Sequence, residues 1–473
     1  MTNAVPLCVD LDGSLIQSDL LLESFLLLIK RNPLYLLLLP LWLLGGKARL
    51  KAEIARRVTL DGSALPYTKS FVDWLKAQKA QGRPIWLCTA SDASLAQAVA
   101  DHVGLFDGVL ASNGQLNLAG GNKAKALVAK FGEKGFDYCG NHRVDLAVWR
   151  HARAAVVVNG GQALVTAARG VTTVDATFAP LSGGIKVLLK ALRVHQWAKN
   201  ALIFVPVAAA HKLGDTHVLI NSVLAFMAFS LCASSVYLLN DMLDLAADRQ
   251  HHSKCNRPFA SGQLSLLFGL VAAPVLLLAA LAISLVLPLK FLGVLAAYYA
   301  ATLAYSFGLK RLVMIDVLAL AGLYTVRIVA GAAATEIPLS FWLLMFAIFI
   351  FLSLAIVKRY AELHVMRQQG KLEAKGRGYQ VEDLMLLQSL GASSGYLSIL
   401  VLALYLNSPD IARMYGHPKL VWTLVPIMLY WVSRIWMQTY RGQMHDDPLV
   451  YALKDRTSLL TGLSAAVMLW LAV

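Results

Sequence analysis

Two groups of carboxylates in this chain have spacings suited to chemistry. In VYLLNDMLDLAADRQHHSKCNRPFASG, residues 236–262, Asn240, Asp241, Asp244 and Asp248 stand at i, i+1, i+4 and i+8, along one side of a helix. An apolar run precedes them and Lys254 and Arg257 follow. Carboxylates at membrane depth are costly and like charges on one face repel, so a cation belongs among them. Magnesium prefers carboxylate oxygens together with the oxygens of a bound phosphate, and a diphosphate bridged by Mg²⁺ accounts for both the acids and the bases. A solvated helix end with internal ion pairs is the plainer alternative. His251 and His252 lack metal-ligand spacing with other soft donors and read as loop residues.

The second group is CVDLDGS, residues 8–14, where Asp10 ends a strand and Asp12 lies two residues on. In such a turn one carboxylate can attack phosphorus while the other gives a proton to the leaving oxygen. An Asp-rich turn or calcium loop is the bland reading of the tripeptide alone. Farther along, LCTAS supplies Thr89 for a phosphoryl oxygen, GNKAKAL supplies Lys123 to neutralise an aspartyl-phosphate, and YCGNHRVD supplies Asn141 and Asp145 for Mg²⁺.

The elements that position these groups differ between two parts of the chain. Up to about residue 180, short β-rich runs (VPLCVDLD, RPIWLCTAS, FDGVLAS, FDYCGN, AAVVVNGG) alternate with helical stretches, which predicts a parallel sheet covered on both faces. Chemistry in such sheets sits at the carboxyl ends of strands, where all of these polar clusters fall. Residues 20–46, LLLESFLLLIKRNPLYLLLLPLWLLGG, depart from a soluble pattern. Each of their two apolar runs is too short to span a bilayer, and they read equally as an interfacial hairpin or as a buried cap pair. From about residue 187, apolar stretches of about 18 to 23 residues recur, enough to cross roughly 30 Å of hydrocarbon. They predict nine spans, near 187–210, 217–239, 263–287, 289–308, 314–332, 338–358, 385–406, 418–437 and 456–473.

Composition agrees. The 473 residues are 58% hydrophobic and only 15% charged, with mean hydropathy +0.59, which excludes a soluble globular or disordered chain. Five cysteines without a C-x-x-C pair give no zinc or disulfide framework. Arg249, Lys254, Arg257, Lys310, Arg311, Lys358, Arg359, Arg367, Lys371, Lys375, Arg377, Arg434, Arg441, Lys454 and Arg456 fall in alternate loops, against Lys212, Lys290, Arg413 and Lys419 in the others. The richer set predicts the cytoplasmic side. With MTNAVPLCVDLDGS showing no signal-peptide pattern, the amino-terminal part is expected there too, on a bacterial-type inner membrane. Topology and anionic ligands account for the net charge of +15, leaving no need for nucleic acid. Lys358 and Arg359 read as orienting residues alone.

NDMLDLAADR followed by K and RP resembles the first aspartate-rich motif of the UbiA superfamily of intramembrane prenyltransferases, whose fold has nine spans. The second D-x-x-x-D run of that superfamily is absent. Residues 305–316, YSFGLKRLVMID, offer Tyr305, Lys310, Arg311 and one Asp316, suited to a cationic phosphate grip. With RVHQWAKN at 193–200 and RIVAGAAA at 327–334, this departure looks like the polyprenyl-phosphate phosphoribosyltransferase branch. That resemblance covers about residues 185–473. It implies Mg²⁺-dependent transfer of ribose 5-phosphate from phosphoribosyl pyrophosphate to a polyprenyl phosphate such as decaprenyl phosphate. Asp241, Asp244 and Asp248, with Asn240, would hold the metal, and Lys254, Arg257, Tyr305 and Lys310 would grip pyrophosphate. Lys199, Arg193 and Arg327 are candidates for the acceptor phosphate or the ribose 5-phosphate. Snorkelling at the interface is the alternative for these bases.

Over about residues 1–175 the order Asp10-x-Asp12, Thr89, Lys123, Asn141…Asp145 resembles the haloacid-dehalogenase (HAD) superfamily of phosphatases, an α/β Rossmann-like fold. The resemblance makes Asp10 the nucleophile, Asp12 the acid/base and Asp145 a metal-site residue. The fourth motif of that superfamily begins G-D, whereas Gly140 is followed here by Asn141, a weaker magnesium ligand. The expectation is a bifunctional membrane enzyme: a HAD-like domain over 1–180 dephosphorylates what a UbiA-like domain over 185–473 makes. A UbiA-type enzyme using a prenyl diphosphate donor, with a catalytically silent HAD-like scaffold, is the alternative. A transporter of an anionic solute is a third.

Overall fold

The computed structural model describes residues 4–181, 183–370, 378–408, 414–444 and 447–472. Lys371, Lys375, Arg377 and Arg413, counted above for topology, lie outside the described residues. The chain divides into two compact units, residues 1–192 with 237–273, and residues 193–236 with 274–473.

The first unit is built on a six-stranded, all-parallel sheet: β1 (Leu7–Val9), β2 (Ile85–Asp92), β3 (Gly108–Ser112), β4 (Asp137–Gly140), β5 (Ala154–Val158) and β6 (Thr173–Phe178). The spatial order is β3-β2-β1-β4-β5-β6. β1 pairs with β2 through Cys8–Trp86 and with β4 through Cys8–Tyr138, so the strand order reverses at β1. The carboxyl end of β1 is therefore the topological switch point where such sheets bind ligands. β5 is AAVVV and fully buried, as a central parallel strand flanked by helices requires. Apolar clusters pack both faces, around Leu7, Val9 and Leu87 on one and around Cys8, Tyr138 and Trp149 on the other.

Residues 20–46 form helix Leu20–Arg31, a 3-10 turn Pro33–Leu37 and helix Leu39–Leu44. Asp19 caps the first helix by accepting from the Leu22 amide. Pro33 and Pro40 each stand in the first turn of the element that follows, where the missing N–H is harmless. The segment shares the features of both sequence readings: one side is packed and the other exposed.

The second unit is helical. Among the described residues, six helices are long and apolar enough to cross a membrane: Thr216–Leu243, Leu266–Ser284, Ile315–Thr335, Phe341–Gln368, Val381–Leu406 and Pro418–Tyr440. The protein is a multi-pass membrane protein by this measure. Three of the nine expected spans read differently. Residues 187–210 do not form one helix but helix Ile185–Ala191, a 3-10 segment Val194–Phe204 and helix Val205–Ala209, interrupted by Arg193 at φ +50°. Helix Leu289–Phe307 has the length, but Lys290 and its tyrosines dilute its hydropathy. Helix Arg456–Ala472 is apolar but short.

Candidate active sites

In the first unit, the carboxyl end of β1 carries Asp10, which is 7% exposed. The Lys123 ammonium, from helix Gly121–Phe131, donates to Asp10 Oδ1 at 2.6 Å and to the Tyr138 hydroxyl at 2.8 Å. Asp12 Oδ1 accepts from the Leu20 amide at 2.7 Å, and its Oδ2 accepts from Ser91 Oγ at 2.8 Å and Thr89 Oγ1 at 3.4 Å. Asp145 Oδ2 accepts from the amides of Asn141 and His142, shaping the loop after β4, while the Tyr138 hydroxyl lies 3.4 Å from its Oδ1. Gly13, at φ +74°, has no room for a side chain, because a Cβ there would stand 2.0 Å from Asn141 Nδ2. The four motifs thus meet at one strand-end cluster. Tyr138 and Ser91 complete it; neither falls in a pattern that the sequence exposes.

Burial pushes the Asp10 carboxyl up to about 7, and the neighbouring Asp145 and Asp12 add to this against the pull of Lys123. Burial likewise raises Asp12 to about 6, a value suited to a proton donor and acceptor. Asp10, Asp12 and Asp145 are crowded and desolvated, a chemistry that suits a divalent cation, yet among the described residues no group of three or more His, Cys, Asp or Glu side chains is already arranged to hold one.

The acid run lies in the same unit. Its helix ends at Leu243 and a second, Leu245–Gln250, begins after Asp244, so the run is broken rather than continuous. Arg257 Nη1 donates to Asp241 Oδ1 at 3.1 Å and to Asp248 Oδ2 at 2.6 Å. Both carboxylates are buried, at 2% and 3% exposed. Burial raises the Asp248 carboxyl above its usual range despite Arg257. Two carboxylates that converge on one cationic nitrogen fit a shared divalent cation. Asp244 turns elsewhere, accepting from the Lys30 ammonium at 2.9 Å. Asn240 and Lys254 are half-buried.

In the second unit the structure gathers bases that the sequence scatters. Arg327 Nε donates to Asn200 Oδ1 at 2.8 Å, and the Asn200 amide donates to Ser230 Oγ at 2.9 Å. The guanidinium lies 5.2 to 5.7 Å from the ring centroids of Tyr298, Phe229 and Tyr324. Gly331 makes this approach feasible: a Cβ there would sit 2.0 Å from the Ile203 carbonyl oxygen, so the glycine of RIVAGAAA lets helix Ile315–Thr335 close on the 3-10 segment carrying Lys199 and Asn200. Lys199 donates to Asp447 Oδ2 at 2.7 Å, Lys358 to the same oxygen at 3.2 Å, and the Tyr324 hydroxyl to both carboxylate oxygens at 2.9 and 3.1 Å. Burial pushes the Asp447 carboxyl up, but Lys358 and Lys199 outweigh it and hold it well below the usual range. Lys358 and Arg359, taken from the sequence as loop charges, lie instead within helix Phe341–Gln368; Arg359 is fully buried and pairs with Asp316 at 2.6 Å. Arg193 is half-buried at the start of the 3-10 segment. Tyr305 and Lys310, also half-buried, occupy the end of helix Leu289–Phe307 and the turn Leu309–Arg311.

The model of the UbiA prenyltransferase family matches residues 201–449. The chain belongs to the UbiA prenyltransferase family. It is 37% identical over 461 residues to an uncharacterized protein of Sinorhizobium fredii, covering 97% of this chain and 89% of that one. It is 32% identical over 286 residues to the decaprenyl-phosphate phosphoribosyltransferase of Mycolicibacterium smegmatis, covering 59% of this chain and 90% of that enzyme. Among solved structures, an Archaeoglobus fulgidus UbiA homolog bound to GPP and Mg²⁺ aligns at TM-score 0.45 and 14% identity, over 60% of this chain and 99% of that one. A HAD family hydrolase of Salmonella enterica aligns at TM-score 0.27 and 13% identity, over 39% of this chain and 71% of that one. This UbiA-family chain is a membrane transferase of the UbiA superfamily, and a parallel-sheet α/β region precedes its family-matched part.

Proposed function

We propose that the UbiA-like part, residues 185–473, transfers the 5-phosphoribosyl group of phosphoribosyl pyrophosphate to a polyprenyl phosphate such as decaprenyl phosphate. The HAD-like part, residues 1–180, then removes the 5-phosphate from the lipid product. The observation that carries this reading is the likeness to a decaprenyl-phosphate phosphoribosyltransferase over 90% of that enzyme. The convergence of Asp241 and Asp248 on one cationic point supports it.

Asp241 and Asp248, with Asn240, and Asp244 once it parts from Lys30, would hold Mg²⁺, which would supply positive charge for the departing pyrophosphate. Arg257 and Lys254 add donors for its oxygens. Carbon–oxygen cleavage at the anomeric centre sends the electron pair to pyrophosphate, and an acceptor phosphate oxygen forms the new bond. That oxygen is already anionic, so no protein base is needed. Lys199, with Lys358, Arg193 and Arg327, orients the anionic groups of acceptor and ribose 5-phosphate, holding reactants in line.

In the HAD-like part the free oxygen of Asp10 attacks phosphorus while Lys123 neutralises the other. The bond from phosphorus to the ribose oxygen breaks, and Asp12 gives that oxygen its proton. Asp12 then takes a proton from water, which attacks the aspartyl-phosphate and frees inorganic phosphate. Thr89 donates to a phosphoryl oxygen, and Asn141 and Asp145 serve the Mg²⁺ site. Both parts act at the cytoplasmic face of the inner membrane, the side favoured by the Lys and Arg distribution.

The test is incubation of membranes holding the full chain with ring-labelled phosphoribosyl pyrophosphate, polyprenyl phosphate and Mg²⁺. Label passing into the lipid phase, and lost when EDTA replaces Mg²⁺, is expected. Label that stays in water, while a prenyl diphosphate is consumed instead, contradicts the donor assignment.

A further inference from the structure

We infer that the segment Pro33–Leu44 is a membrane-docking element, with its leucine face seated at the headgroup–acyl boundary of an anionic bilayer. This inference stands apart from the catalytic reading and uses only contacts within the first unit.

The segment has two sides of opposite character. Its inner side is fastened by Trp42, 6% exposed, which packs in a cluster with Leu28 and Ile54. The Arg57 guanidinium lies 4.7 Å over the Trp42 ring, and the Tyr35 ring centroid lies 6.1 Å away. The outer side carries Leu34, Leu36, Leu37, Leu41, Leu43 and Leu44, all exposed, with Leu37 at 76% and Leu44 at 86%. Single exposed leucines are ordinary; with Leu38 also exposed, seven within eleven consecutive residues form a patch that needs a partner.

Two ion pairs bear on what that partner is. Helix Leu20–Arg31, which leads directly into the segment, is tied near both ends to the stretch where an apolar helix of membrane-crossing length terminates. Lys30 near its end pairs at 2.9 Å with Asp244, the residue after Leu243, which closes helix Thr216–Leu243. Glu23 near its start pairs at 2.6 Å with Arg249, just beyond. Residues that follow the last turn of a spanning helix stand at the bilayer interface, and the leucine patch begins four residues after Lys30, at Leu34. Charge agrees: Lys30 and Arg31 precede the patch and Lys47 and Arg49 follow it, with Glu53 the sole acid from 30 to 57. Bases flanking leucines are the pattern that binds an anionic lipid surface without spanning it.

The test uses the full chain with Cys255→Ser, reconstituted in phosphatidylcholine–phosphatidylglycerol nanodiscs and nitroxide-labelled at Leu37→Cys or Leu44→Cys. Lys69→Cys, on the exposed start of helix Lys69–Ala80, is the aqueous reference. Dissolved oxygen, which concentrates in hydrocarbon, is expected to relax the labels at 37 and 44 several-fold more than a water-soluble nickel chelate, with the ratio reversed at 69. A label at 37 and 44 as open to nickel as the one at 69 overturns the inference. So does a label shielded from both agents, which would mean that protein, such as a second copy of the chain, covers the patch. All the substitutions fall on exposed or half-exposed side chains, so folding is retained; an unchanged gel-filtration profile checks this.

Discussion

The Asp10 centre and the Asp241 run both collect carboxylates where water is scarce, yet they hold their counter-charge differently. Asp10 projects from a strand fixed by parallel neighbours on both sides, and Lys123, itself 6% exposed, is delivered from helix Gly121–Phe131, which follows β3. Asp241 and Asp248 come from two helices separated at Asp244, and their Arg257 sits at the end of a loop turn with its side chain 28% exposed. A buried ammonium between a carboxylate and a tyrosine is a permanent part of its site. A partly solvated guanidinium can exchange one partner for another when a cation and an anionic substrate arrive together. One centre is therefore preorganised by the sheet, and the other, on the proposed reading, leaves its counter-charge exchangeable for an incoming ion.

Several substitutions break or sharpen this contrast. Asp12→Asn removes the proton donor, and release of inorganic phosphate from the lipid product should fall by about two to four orders of magnitude while ring label still enters the lipid. Asp241→Ala or Asp248→Ala should lower transfer at least ~100-fold, since even outer-shell partners of metals cost about 10–100-fold, with membrane insertion unchanged by carbonate extraction. Equal activity of these variants and wild type removes the metal role from the run. Lys123→Met leaves a buried carboxylate without its partner and should cost about 3–5 kcal/mol in chemical unfolding of the first unit. Lys30→Met, at a pair whose side chains are 36% and 31% exposed, should cost less than about 1 kcal/mol. A finer prediction concerns Asn141: Asn141→Asp should strengthen Mg²⁺ binding about tenfold, read by the Mg²⁺ concentration for half-maximal phosphate release.

The sheet was legible because buried parallel strands are written as short β-branched runs with turn residues at their ends, and VPLCVDLD through AAVVVNGG are of that kind. β6, TVDATF, escaped because it is an edge strand that alternates exposed and half-buried residues and carries Asp175. The strand-end cluster was readable because each member except Thr89, which lies inside β2, sits at a strand end or helix start with a local signal, whereas Tyr138 looks like any aromatic in a strand. The acid run was visible by spacing, but its break at Asp244 was not: the pairing of Asp244 with Lys30 joins residues 214 apart. Asp447 was missed for the same reason, since its bases Lys199 and Lys358 come from distant segments. Lys358 and Arg359 looked like loop charges because a hydropathy window ends at the first bases, whereas helix Phe341–Gln368 continues for ten more residues and buries Arg359 on Asp316. The 3-10 form of Val194–Phe204 likewise goes with a long-range contact, since its Ile203 carbonyl meets Gly331 of another helix.

The central claim, that one half makes a phosphoribosylated lipid and the other trims it, is tested most directly by the mass of the lipid formed in membranes supplied with phosphoribosyl pyrophosphate, polyprenyl phosphate and Mg²⁺. Wild type should yield polyprenylphosphoryl-ribose, and Asp10→Asn should yield the same lipid heavier by one phosphate. An identical, phosphate-bearing product from both proteins would contradict the trimming role, and the absence of any ribosylated lipid would contradict the whole account.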